Sequence, residues 1–398
     1  MNRLKQDWKS ALKTVGTYSF QLAVIIEVIL VILDKSEFLY PFEGWTFRIT
    51  FLLCFIKFLC AECTAVYTWK DNVVIAAFLI LGMISYQVTG RNEFLRIILF
   101  LAACKEEDMF RCLKMVFWIT LTGCVGIILL SITGIYGAAA LAQDFGRGGV
   151  ETRYVLGMGH PNALQCMVWM ITSLAMYLYH TKWKWFHYLA VWILNLLFFF
   201  LTDSKTSMAI VTVAVVLFFM ADHLHAKWGK RLFSTANIAA VTGSIGLSFF
   251  AAKDAMSLFE YYWGAPLTRK VQIYLFLDKL LTGRIHSLVD TTYKEGTIST
   301  WSLFSSPHNT YYFDMGWVRL FYWYGIIPGI IVVACLFLLL GYFFKKDRLA
   351  EMILFSTYSV YTIVEAHIVS VYIGRNYLLF IAGMYLWNIW NKTGKQDE

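Results

Sequence analysis

Continuous apolar runs recur along this chain from Val15 to Trp390, separated by short polar breaks. The runs are uniformly apolar instead of alternating with a period of two. That selects helices over a β-barrel as the structure that satisfies backbone amides in hydrocarbon. A helix crosses ~30 Å of hydrocarbon with about 20 residues. Membrane-spanning helices are expected at Val15–Leu33, Trp45–Ala65, Val73–Thr89, Phe94–Cys104, Lys114–Gly134, Pro161–His180 and His187–Thr202. Five more follow at Ser207–Ala221, Ala236–Ala252, Trp317–Phe344, Glu351–His367 and Val371–Trp390, and Phe94–Cys104 is the shortest of the set. One polar interruption is long. Lys253–Gly316 carries Arg269, Lys270, Arg284 and Pro307-His308-Asn309-Thr310-Tyr311, so a polyanionic substrate would be handled there.

Composition supports the pattern. Hydrophobic residues make up 59% of the chain, charged residues 15%, and the mean hydropathy is +0.60. A soluble chain of this size needs more charge to cover its surface. The segment Met1–Lys13 is polar and basic, and no small-residue cleavage site follows it. The first apolar run is therefore expected to be a retained span and not a removed signal peptide. With the N-terminus cytoplasmic, the inner loops and ends hold 18 lysines and arginines and the short outer loops hold 6. This is the direction of the positive-inside bias. The expectation is an all-α polytopic protein of about twelve spans, a single transmembrane domain over 1–398, with both termini cytoplasmic. Residues 253–316 then form one large extracytoplasmic loop.

The net charge of +8 lies mostly in cytoplasmic loops, where lysines meet anionic lipid headgroups. No basic patch on a soluble domain suggests nucleic acid as a partner. All eight cysteines fall in spans or near their cytoplasmic ends, which excludes a disulfide framework in the long loop. Cys60-x-x-Cys63 has metal-like spacing without a partnering pair, so it reads as small apolar helix residues. No internal repeat is visible, which counts against many transporter folds.

Three constellations carry candidate chemistry. The first is Arg147…Arg153-Tyr154…Gly157-Met158-Gly159-His160-Pro161-Asn162. Pro161 suits a first helical turn, so His160 sits at a helix N-terminus. There it is either a cap or, with the two upstream arginines, part of a phosphate site. The second is the short hairpin Thr202-Asp203-Ser204-Lys205-Thr206, in which Lys205 is either one prong of a pyrophosphate clamp or an interfacial charge neutralised by Asp203. The third is the long loop. Leu275–Leu281 reads as an amphipathic surface helix, ended by Thr282-Gly283-Arg284; a polar stretch, Asp290–Thr300, leads to the His308 segment. Histidine side chains exchange protons near neutral pH, and an arginine grips a diphosphate bidentately. Tyr261, Tyr262, Trp263, Trp301, Tyr311 and Tyr312 either stack on sugars or anchor the chain at the interface.

These motifs, in this order, resemble one family. Gly-His-Pro-Asn before a span, Asp-Ser-Lys-Thr-Ser, Leu-Thr-Gly-Arg, and His-Asn-Thr-Tyr followed by Trp-Tyr-Gly-Ile-Ile-Pro-Gly are similar to the O-antigen polymerase and O-antigen ligase superfamily. The likeness spans Arg147 to Gly329 and is nearest to the polymerases of Gram-positive capsule and exopolysaccharide clusters. The resemblance implies a GT-C-type helical architecture and a metal-independent glycosyltransferase without cofactor. Such an enzyme works at the outer face of the bacterial cytoplasmic membrane on undecaprenyl-diphosphate-linked oligosaccharides. Expected partners are that lipid, membrane lipid, and a chain-length regulator and flippase of the same pathway. Carried over by position, His308 matches the histidine that activates the acceptor hydroxyl and Arg284 the arginine that holds the diphosphate. Lys205 stands where the ligases carry arginine, and His160 and Asn162 match the polymerase-type element. Asn309 and Tyr311 belong to the His-Asn-x-Tyr signature, and Arg153 is added on charge alone. Other readings stay open: ligase-type transfer to a different acceptor, a lipid-linked oligosaccharide flippase, or a metal-dependent transferase using Asp34, Glu37 and Glu43, which lack paired acidic spacing.

Overall fold

In a computed structural model, residues 2–145, 149–289 and 295–392 are described. Arg147 and the start of the polar Asp290–Thr300 stretch lie outside the described residues. Among the described residues the chain forms fourteen α-helices: α1 (Asn2–Lys35), α2 (Glu43–Cys63), α3 (Trp69–Thr89), α4 (Glu93–Ala103), α5 (Met109–Ile132), α6 (Pro161–Tyr179) and α7 (Trp185–Thr202). They continue as α8 (Lys205–Asp222), α9 (Lys227–Tyr262), α10 (Arg269–Leu280), α11 (Gly316–Tyr324), α12 (Ile326–Lys345), α13 (Leu349–Tyr361) and α14 (Tyr377–Lys392). Seven of them are long and apolar enough to cross a membrane: α1, α3, α5, α7, α8, α9 and α12.

The chain forms two compact units. The first takes 1–75, 99–225 and 372–398; the second takes 76–98 and 226–371, so both boundaries near 75 and 98 fall inside helices α3 and α4.

In the first unit α1 packs on α2 and α5, and α6 packs on α5, α7 and α8. Two buried ion pairs lie among these helices. Lys57 and Glu107 form an ion pair with each side chain 4% exposed, and Thr17 donates to the same carboxylate. Lys105 meets Asp71 at 2.6 Å, and Trp390 donates to the other Asp71 oxygen. Burying such charges singly would cost several kcal/mol each, which is why both come with partners.

The sequence reading missed one element of this unit. Strands β1 (Ala140–Asp144) and β2 (Val150–Tyr154) pair antiparallel between α5 and α6, with Leu141 opposite Arg153. Glu37 ties the hairpin base to the α1–α2 loop by accepting from the Ala138 amide at 3.0 Å.

In the second unit α9 packs against α10, α11, α12 and α13. Besides an earlier start of α9, at Lys227 instead of Ala236, and an earlier end of α13, at Tyr361 instead of His367, two differences from the apolar pattern stand out. Helix α9 continues to Tyr262, ten residues beyond the expected end at Ala252, because its last turns are held by α10. Tyr274 donates to Asp254 at 2.8 Å and Lys270 pairs with the same carboxylate. Burial, and then this hydrogen bond, pushes the Tyr274 phenol up from its ordinary range. The second difference is a break. The run read as Trp317–Phe344 is divided into α11 and α12 at Gly325, whose φ of 99° and ψ of 175° are open only to glycine.

Helix α10 covers Arg269–Leu280, more than the stretch read from sequence, and its apolar residues lie around the axis instead of along the single stripe expected of an amphipathic helix. Val271, Tyr274 and Asp278 are buried, while Ile273, Phe276 and Leu280 on another face are more than half exposed.

Candidate functional site

The His308 segment is built on the break at Gly325. The first amides of α12 have no partner within their own helix. The segment before His308 supplies acceptors: Ile326 N donates to Ser302 O at 2.8 Å and Ile327 N to Leu303 O at 3.0 Å. A Cβ on Gly325 would stand 2.6 Å from Phe304 Cα and 2.7 Å from Leu303 O, so a side chain there would push the segment away. Asn309 fixes the next stretch, its side-chain amide donating to Ser305 Oγ at 2.8 Å and to Tyr322 O at 3.0 Å. Trp323 donates its indole N–H to Tyr311 O at 3.3 Å. Asn309 and Tyr311 thus serve the segment's shape through amide and carbonyl.

His308 stands on this fastened backbone with an exposed ring. Its amide donates to Ser306 Oγ at 3.2 Å, and its ring has no hydrogen bond or ion pair among the described residues. Arg284 lies in the same unit, just past α10. Its Nη1 donates to Thr282 O and Oγ1 at 3.2 and 3.1 Å, and Nη2 sits 3.3 Å from an Asp314 carboxylate oxygen. The Nε atom is buried without an acceptor among the described residues. Asp278 holds the turn carrying Arg284 by accepting from the Ile285 and His286 amides at 2.8 and 2.9 Å.

Two arginines that sequence reasoning did not assign hold this segment. Arg91 turns its guanidinium to the carbonyls of Ser306, Asn309 and Trp323. Arg319, 3% exposed, donates to Phe313 O. The only sequence signal was their type: Arg319 is the one charge in the apolar stretch Gly316–Tyr324, and Arg91 sits in a short turn.

The first unit brings together the other candidates. His160 caps α6, its Nδ1 accepting from Asn162 N at 3.1 Å, and Phe145 from the hairpin lies 5.8 Å from its ring. The capping alternative for His160 is therefore realised in the fold. Asn162 Oδ1 accepts from Ser204 Oγ at 2.9 Å, which joins the Gly-His-Pro-Asn turn to the Asp-Ser-Lys hairpin. Below them Gln165, Asn195 and Thr202, all fully buried, bond to one another: Gln165 Nε2 to Asn195 Oδ1 at 2.8 Å and Thr202 Oγ1 to Gln165 Oε1 at 3.3 Å. Asn195 also donates to Met208 O at 3.0 Å. These bonds hold α6, α7 and α8 in register under the turn.

Arg153 is buried, with Glu151 at 2.5 Å, Asp203 at 3.7 Å and the Phe145 ring 4.3 Å from its Cζ. Its charge is offset twice within the protein. Lys205 differs: it is exposed at the first position of α8 and forms no ion pair among the described residues. A cation there opposes the helix dipole unless an anion is near.

The acidic residues considered for a metal have other work. Asp34 pairs with Lys35 at 2.7 Å, and Tyr372 hydrogen-bonds both Asp34 and Glu43. Among the described residues no cluster of His, Cys, Asp and Glu is arranged to hold a metal ion. Comparison with known proteins gives no match to a protein-family model, to a curated protein or to a solved structure.

Proposed function

We propose that the chain is a polysaccharide polymerase that joins undecaprenyl-diphosphate-linked repeat units. The observation that carries this reading is the His308 segment, a backbone fastened at many points that presents one unencumbered imidazole, in the same unit as Arg284. A reacting group gains most when its geometry is fixed before substrate arrives. The segment's sequence is the His-Asn-Thr-Tyr element on which the resemblance to the O-antigen polymerases rests.

In the proposed reaction the nonreducing-end hydroxyl of the acceptor attacks the anomeric carbon of the donor. The carbon–oxygen bond to phosphate breaks, and undecaprenyl diphosphate leaves with the electron pair. His308 accepts the hydroxyl proton, and Arg284 stabilises the charge on the leaving diphosphate. Tyr312, 65% exposed beside this segment, offers an aromatic face to a sugar ring.

The same reading covers the membrane arrangement. Setting α10 aside as a surface helix and taking α11 and α12 as one broken span leaves twelve passes, the count the apolar pattern and the lysine bias favour. We propose that this is a GT-C-type bundle with both termini cytoplasmic and the His308 segment outside. The test is glycan elongation by the purified chain on a lipid-linked repeat unit. Laddered product should form with wild type and be lost in His308→Ala and Arg284→Ala. Ladders of wild-type length from both variants would remove the assignment.

A further inference from the structure

We propose that Arg91 and Arg319 are positioning residues that clamp the His308 segment at its two ends through the segment's own carbonyls. Arg91 ties the first half to α11: Nη1 lies 3.4 Å from Ser306 O and 3.4 Å from Trp323 O of that helix, and Nη2 donates to Asn309 O. Arg319 holds the finish through Phe313 O, with its Cζ 3.6 Å from the Tyr312 ring centroid. Both guanidiniums share one indole, at 5.1 Å and 4.8 Å from the Trp323 centroid. His308 lies between the two segment carbonyls that Arg91 holds, Ser306 O and Asn309 O, and Arg319 holds the chain further on at Phe313 O.

The choice of arginine is informative. Asp314 and Glu365 act on Arg319 from beyond ion-pair distance, and the direct contacts of the two guanidiniums among the described residues are with neutral carbonyls and aromatic faces. Removing such a cation from water without a carboxylate in direct contact is costly. A planar fork with five donors can bridge several carbonyls while stacking on a ring, which an ammonium cannot. The geometry therefore uses the shape of arginine as well as its charge. That separates this role from diphosphate binding, in which lysine is a workable substitute.

The inference rests on reading His308 as a reacting group, and its test has one arm that does not. In the detergent-solubilised full chain, amide hydrogen exchange across 305–313 should accelerate in Arg91→Lys and in Arg91→Gln alike, with peptides of α6 and α8 unchanged. In the elongation assay both variants should lose kcat by roughly tenfold to a hundredfold, the cost of misplacing a reacting group by about 1 Å. KM for the lipid-linked donor should stay within about twofold of wild type, since uniform binding is untouched. Arg319→Lys repeats the test at the buried end, and the less deeply buried Arg91 keeps the experiment usable if Arg319 variants do not fold. Normal exchange and normal kcat in Arg91→Lys would overturn the clamp. A raised KM rescued by lysine would reassign Arg91 to the diphosphate. Accelerated exchange with no elongation by wild type would keep the clamp and remove the polymerase reading instead.

Discussion

Under the proposed function Arg284 grips a diphosphate in competition with Asp314, and that competition has a calculable size. The two side chains are 3.3 Å apart, and 22% and 33% exposed. At that distance the Coulomb attraction is about 1.3 kcal/mol in water and about 5 kcal/mol at an effective dielectric of ~20. Partial exposure places the pair towards the weaker limit, and such pairs measure at most about 1 kcal/mol. Asp314→Asn keeps the shape and removes the competing charge. Donor affinity should therefore rise by about 1 kcal/mol, roughly a fivefold lower KM. The gain should vanish in Arg284→Gln, because without Arg284 there is no cation to release. Four proteins complete the cycle, assayed for elongation against donor concentration at low and high salt, with the gain shrinking as salt rises. A fivefold gain that survives in the Arg284→Gln background would refute the idea that Asp314 acts through Arg284. A loss of affinity on Asp314→Asn would show instead that the carboxylate orients the arginine.

Three further outcomes follow from the fold. Lys57→Met strands the Glu107 carboxylate with Thr17 as its remaining side-chain donor among the described residues, and should cost roughly 3–5 kcal/mol by thermal unfolding in detergent, with recovery in Lys57→Met/Glu107→Leu; equal stability of the single and double variants would contradict this. Gly325→Ala forces a positive φ of 99° and a 2.6 Å clash with Phe304, so elongation should drop sharply and exchange of the 302–305 amides should rise. A spin label at Phe276→Cys should be relaxed by oxygen more than by a water-soluble nickel complex if the exposed α10 face lies in lipid, and the reverse order would place it in water.

Positions of helices were largely written in the apolar runs: Pro161–His180 became α6 at Pro161–Tyr179, and Trp45–Ala65 became α2 at Glu43–Cys63. The break at Gly325 was not, because apolar residues continue on both sides and only the backbone conformation marks it. The reach of α9 past Lys253 and Asp254 was hidden for the opposite reason: polar residues ended the apolar run while α10 supplied them with partners. In the candidate site, the cap formed by His160 was legible from the neighbouring Pro161. The pairing of Arg284 with Asp314, thirty residues on, and of Arg91 with a segment more than 200 residues away, leaves no local trace. Long-range partners are set by packing, which a one-dimensional pattern does not encode.

Those long-range partners decide which cations are free to meet substrate. Counting basic residues in a loop treats Arg153, Lys205 and Arg284 alike, yet the protein has already answered two of them. Arg153 is neutralised by Glu151 and Asp203 and buried against Phe145, so an incoming anion would have to displace two carboxylates. Arg284 has a single, partly exposed competitor, and Lys205 none among the described residues. An anion therefore meets the lowest barrier at Lys205 in the first unit and at Arg284 in the second. Arg153 belongs with the side chains that hold the hairpin. Substituting Arg153→Gln should accordingly lower thermal stability while leaving KM for a lipid-linked donor unchanged in the fraction that folds. A raised KM with unchanged stability would return Arg153 to the binding site.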